Sequence, residues 1–90
     1  MSEPRYRRHA DLRLTALEGE GIVLHLKERR YFSVNETGLT LLEALQQPRT
    51  FGELVAELLR EYEVSEATAT ETIRAFLDHC LAASVVEETT

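Results

Sequence analysis

The sequence predicts an α+β domain: a winged helix-turn-helix-like arrangement in which a three-stranded antiparallel sheet is followed by three helices. Two observations carry this. The apolar period is two before Val34 and helical after it. Each segment after the change opens on a capping residue, whereas glycines and a charged turn separate the earlier ones.

Ile22, Leu24 and Leu26 alternate with Val23, His25 and Lys27, and Phe32 and Val34 alternate with Tyr31 and Ser33. Strands with one buried face read this way. Leu12, Leu14 and Ala16 offer a weaker first strand, Gly19 and Gly21 mark the first turn, and Lys27 to Arg30 the second. Asn35 is a suitable N-cap for the first helix, with Val34 and Leu39 placed as a hydrophobic staple around it. That helix stops before Pro48. Thr50 and Glu53 have capping-box spacing, and Phe51, Leu54, Val55, Leu58, Leu59 and Tyr62 follow as a single apolar stripe. Ser65 caps a third helix that runs to about Ala83, with an apolar arc that includes Ala69, Ile73, Phe76, Leu77 and Cys80. Residues 1–11 read as a polar arm, 12–86 as one domain and 87–90 as a frayed tail.

Ninety residues support a single modest core. No apolar run approaches the roughly 18 residues of a membrane span, and the Arg-rich start lacks the apolar region of a secretory signal. Cys80 is the only cysteine, so no intrachain disulfide framework exists. A cytoplasmic protein is expected. The net charge of −6 is unevenly spread: residues 1–34 carry seven basic and five acidic side chains, residues 35–90 three basic and eleven acidic. Residues of the second and third helices include Glu53, Glu57, Glu61, Glu66, Glu71 and Asp78 against Arg60 and Arg74. Such helices repel a polyanion, which weighs against the nucleic-acid reading that a winged-helix plan invites.

No catalytic constellation emerges. Asp78, His79 and Cys80 are consecutive, and consecutive helix positions point about 100° apart, so they cannot jointly hold a metal. Cys80 sits within the apolar arc, where an inert buried thiol is expected. Ser33, Ser65 and Ser84 lack an elbow motif, and Glu18 and Glu20 stand where a phosphate loop would need donors. The chain reads as a non-enzyme without metal or cofactor.

The segment Arg30–Tyr31–Phe32–Ser33–Val34–Asn35–Glu36–Thr37–Gly38 resembles the strand-to-helix junction of the PqqD family, where an aromatic strand ends in an aliphatic–Asn–x–Thr–Gly turn. Thr50–Phe51–Gly52–Glu53–Leu54–Val55 is similar to that family's second-helix opening. Glu61–Tyr62–Glu63–Val64–Ser65, with Ile73, Phe76 and Leu77, is similar to the stretch leading through its last helix. The resemblance spans about Leu12 to Val86. It implies binding of the leader segment of a ribosomally made precursor peptide. The leader would add as a strand beside the third β-strand, in a groove against the last helix, for presentation to a radical enzyme, a protease or a cyclase.

Within the family the chain is most similar to the stand-alone recognition proteins of lasso-peptide pathways, which serve a separate leader protease; a peptide chaperone of pyrroloquinoline quinone biosynthesis is the alternative. The residues agree with strand addition. Tyr31–Phe32–Ser33–Val34 is a short apolar edge segment without proline. Arg29 and Arg30 flank it and would attract acidic leader side chains. On the helix, Ala69 is small and would leave room beside Ile73 and Phe76, with Leu77 and Arg74 on the same segment. Phe32, Val34, Ile73 and Leu77 also suit a core role. Which edge of the helix faces the strand, that of Arg74 and Asp78 or that of Thr72 and Ala83, is left open. The acidic helices are candidates for contact with the processing enzyme.

Overall fold

The computed structural model describes residues 3–89. The element order is β1 (Arg5–Arg8), β2 (Leu12–Leu17), β3 (Glu20–His25), β4 (Arg30–Asn35), α1 (Glu36–Ala44), β5 (Arg49–Thr50), α2 (Phe51–Glu61), α3 (Glu66–Ala82) and β6 (Val86–Thr89). Strands β2, β3 and β4 form the expected antiparallel meander, with Leu14 opposite Val23 and Val23 opposite Phe32. Gly19 turns the first hairpin at φ 75°, a conformation side chains resist.

The caps act as the sequence implies. Asn35 Oδ1 accepts from the Gly38 N–H at 2.8 Å. Thr50 and Glu53 form a reciprocal capping box, and Ser65 Oγ accepts from the Thr68 N–H. These contacts satisfy helix-terminal donors and fix where each helix leaves the chain. The inner face of the meander, with Leu12 and Val23, packs on Leu41, Leu42 and Leu45 around α1, Leu54 and Leu58 of α2, and Ile73 and Leu77 of α3. No helix among the described residues is long and apolar enough to cross a membrane.

The N-terminal arm and frayed tail expected from the sequence are not what the structure contains. β1 pairs with β6 along its length and with β5 on its other side, giving a second three-stranded antiparallel sheet, so the winged-helix plan holds only loosely. Met1, Ser2 and Thr90 lie outside the described residues. The pairing of β1 with β6 is invisible to periodicity for a physical reason. Arg5, Arg7 and Arg8 carry no apolar alternation, and the strands are held by backbone bonds and by the Arg7 guanidinium donating to Glu87 at 2.9 Å. Tyr6 and Val86 supply the apolar contact with the core. Arg5 also lies 3.6 Å from Glu53 of α2.

His25 ties the meander to the end of α3. It is buried at 1% exposure, its Nε2 lies 3.1 Å from the Ser84 carbonyl oxygen, and its Nδ1 accepts from the Glu28 N–H at 3.3 Å. Ser84 itself turns the chain at φ 60°.

Candidate functional site

β4 pairs with β3 on one side, and among the described residues no strand pairs with its other edge. The first turn of α1 leaves directly from its end, so the open edge, the α1 N-terminus and α3 come together. Between them lies a cleft of about 650 Å³, lined by Val34, Thr37 and Gly38 on one side and Thr72, Phe76 and His79 on the other. It continues into a smaller apolar hollow of about 90 Å³ bounded by Val23, Phe32, Val34, Ala83 and Val85. Gly38 keeps this junction close: a Cβ there would meet the Val34 Cβ at 3.2 Å and the capping Asn35 Oδ1 at 3.3 Å, tight enough that these neighbours must shift by a few tenths of an ångström.

The β4 side chains divide by parity. Phe32 and Val34 are half-buried and face the cleft and core, whereas Tyr31 and Ser33 are exposed on the opposite face of the sheet. Arg30 is exposed, and its guanidinium lies 5.1 Å from the centroid of the Phe32 ring. Arg29 is an exposed turn residue at φ 54°. The strand therefore brings Arg30, Phe32 and Val34 to one face and leaves Tyr31 and Ser33 to contribute through their backbone.

On α3 the structure selects the edge that the sequence left open. Thr72, Phe76, His79 and Ala83 line the cleft and its hollow, with Cys80 at the floor. Ala69, Ile73 and Leu77 are core residues, at 0%, 0% and 4% exposure. Their apolar arc lies beside the cleft face, and they support the wall without reaching its surface. Arg74 is on the far side: two helical positions from both Thr72 and Phe76, it points roughly 160–200° away, and its guanidinium stacks 5.6 Å from the Phe51 ring of α2. Of the helical residues the sequence offered as peptide-binding, Phe76 alone lines the cleft. Thr72 marks the edge left open, and Ala75, His79, Asn35, Thr37 and Gly38 were missed as lining residues. Sequence periodicity distinguishes core from surface, but the cleft is a surface strip whose position depends on how α3 meets β4.

The chemistry of the cleft is that of a binding surface. Burial pushes the Cys80 thiol up to about 11, so it stays protonated and unreactive at neutral pH. Apolar walls with a few hydroxyls and one imidazole, bordered by a strand with unpaired backbone groups, suit an extended chain with alternating side chains.

The fold and cleft define a class of small α+β protein whose meander keeps one edge open beside its last helix. The family of coenzyme PQQ synthesis protein D (PqqD) matches residues 20–86, and the chain belongs to it. Two solved structures share the fold. One, described as TbiB1 in complex with the TbiA(beta) leader peptide, has a TM-score of 0.78 at 22% identity and covers 90% of this chain and 94% of its own. The other, lasso peptide synthetase B1 complexed with the leader peptide, has a TM-score of 0.75 at 17% identity, covering 91% and 96%. No curated protein matches the chain significantly.

Proposed function

We propose that this chain binds the leader segment of a ribosomally made precursor peptide, adding it as a strand to β4, and delivers it to a separate leader protease of a lasso-peptide pathway. The observation that carries the reading is the open β4 edge lying alongside a cleft walled by α3. Backbone groups of the edge supply affinity, and pockets for alternate side chains supply selectivity. Family membership supports a role in peptide maturation, and both structural neighbours were solved with leader peptides bound. In this reading the chain acts in the cytoplasm without catalysing a reaction, and neither nucleic acid nor membrane is its partner. The description of the matching family favours a second reading, a peptide chaperone serving a radical enzyme in pyrroloquinoline quinone synthesis.

Calorimetric titration of a synthetic lasso-peptide precursor leader tests the proposal. Saturable binding is expected. Phe76→Ala should weaken it about tenfold through loss of a cleft wall, whereas Arg74→Ala should leave it unchanged. Absence of binding by folded wild-type protein, or equal losses in both variants, would overturn the reading.

A further inference from the structure

The outer face of the β2–β3–β4 meander is unusual for a surface. Arg13 stands opposite Leu24, and Leu24 opposite Tyr31, in one cross-strand row, with Thr15, Ile22 and Ser33 in the next. Cross-strand neighbours lie about 5 Å apart, so Leu24, Tyr31 and Ile22 form one apolar patch; Leu24 is 40% and Tyr31 74% exposed. Leu17 extends it at 48%.

The patch has a basic border on the side of β1. Arg13 shares a cleft of about 240 Å³ with Arg7 and Arg8. Arg7 is paired with Glu87, but Arg8 and Arg13 have no carboxylate partner among the described residues. Instead each is held by a backbone carbonyl, Arg8 by Leu42 O at 3.3 Å and Arg13 by Leu12 O at 3.0 Å, which leaves further guanidinium donors unused. Glu20 is the acid on this face, at its opposite end.

We propose that this face docks a partner protein presenting an apolar cluster bordered by carboxylates, and that the partner is the enzyme acting on the leader-bearing peptide. The assignment rests on the leader-binding reading above. Charge decides the partner's chemistry: two positioned, unpaired arginines in a chain of net charge −6 call for acids from outside. Tyr and Arg around an apolar centre is also the composition of an interface core. Three strands of six residues offer about 300 Å², well below the roughly 800 Å² per partner of a stable interface. A small anchor with a charged rim suits a transient hand-over. The geometry adds a reason for the location. A strand joined to β4 extends this face by one row, turning half of the leader's side chains into the cleft and half toward a protein docked outside.

The test is binding of a purified lasso-peptide leader protease, measured by interferometry, with leader affinity measured separately. Leu24→Glu and Arg13→Glu should each weaken enzyme binding about tenfold or more and leave leader affinity within about twofold, with circular dichroism confirming the fold. Glu57→Arg/Glu61→Arg should leave enzyme binding intact. No enzyme binding by the wild type, unchanged enzyme binding in both sheet variants, or loss confined to the acidic-helix variant would overturn the proposal. So would a wild-type dimer in sedimentation that Leu24→Glu dissociates. Loss of leader binding in the wild type would instead defeat the leader reading alone, because enzyme docking is read independently.

Discussion

Strand addition at β4 makes a prediction with a period of two. Along Arg30–Asn35, residues of one parity exchange hydrogen bonds with β3, and those of the other direct N–H and C=O to the open edge. A six-residue leader strand paired there directs three of its own N–H groups at β4 and three away from it. N-methylation of successive leader residues probes each in turn without touching the protein. An N-methyl facing β4 deletes one hydrogen bond, worth about 1 kcal/mol net, and sets a methyl against the edge. Affinity should therefore fall at least about fivefold. An N-methyl at the next position faces solvent, and affinity should stay within about twofold. Calorimetry across the series gives the profile. A flat series, or contiguous losses regardless of parity, would refute pairing. Ser33→Pro is the protein-side counterpart, because Ser33 is exposed and its side chain is on the face of the sheet opposite Phe32 and Val34. If its N–H points outward, the variant folds and loses the leader; if it points to β3, the variant melts early. Wild-type melting together with wild-type affinity would exclude this edge.

Two further outcomes separate support from contact. Ile73→Ala, at a fully buried position, should cost about 2–5 kcal/mol in urea unfolding while leaving affinity of the folded fraction unchanged; loss of affinity at unchanged stability would place Ile73 in the cleft surface. The hydrogen bond from the Thr50 backbone N–H holds the Glu53 carboxyl below its ordinary value of 4.5, with Arg5 and Arg49 adding to the effect. Its contribution to stability is then complete above that value and disappears as pH falls through the lower folded one. Glu53→Gln retains an acceptor but cannot titrate, so its stability deficit should shrink between about pH 6 and about pH 3. A deficit independent of pH would remove the charge from the argument.

The parts of the fold legible in the sequence are those whose local pattern and burial agree. The meander was readable from its period of two, with Leu14 and Phe32 turned inward, but the sidedness of β3 was not: Ile22 and Leu24 of its apolar series face outward, and Val23 and His25 are the buried pair. The helices were readable because Asn35, Thr50 and Ser65 cap stripes that reach the core. β1 and β6 were not, because their pairing is decided 80 residues away in sequence, by Arg7 with Glu87, and leaves no apolar alternation in either strand. The strand residues of the candidate site lie beside an open edge, whereas most of the helix residues named with them lie beneath the cleft rather than on its surface. Ala69, Ile73 and Leu77 announce burial, whereas the cleft falls on the adjoining strip of Thr72, Phe76 and His79, which carries mixed residues and no period of its own.

The pairing of β1 with β6 has a consequence for how the molecule can be cut and joined. Arg5 stands opposite Thr89, so the two extremities of the described chain are neighbours and the backbone runs as an almost closed circuit. A short peptide could bridge them, and a new opening could be made at the exposed Glu18–Gly19 turn without disturbing the ladders. Equally, a second protein tethered at either extremity would hang from the same corner, with the β4 edge unaffected by the order of fusion. Architecture of this kind makes the candidate cleft portable between separate and covalently joined arrangements.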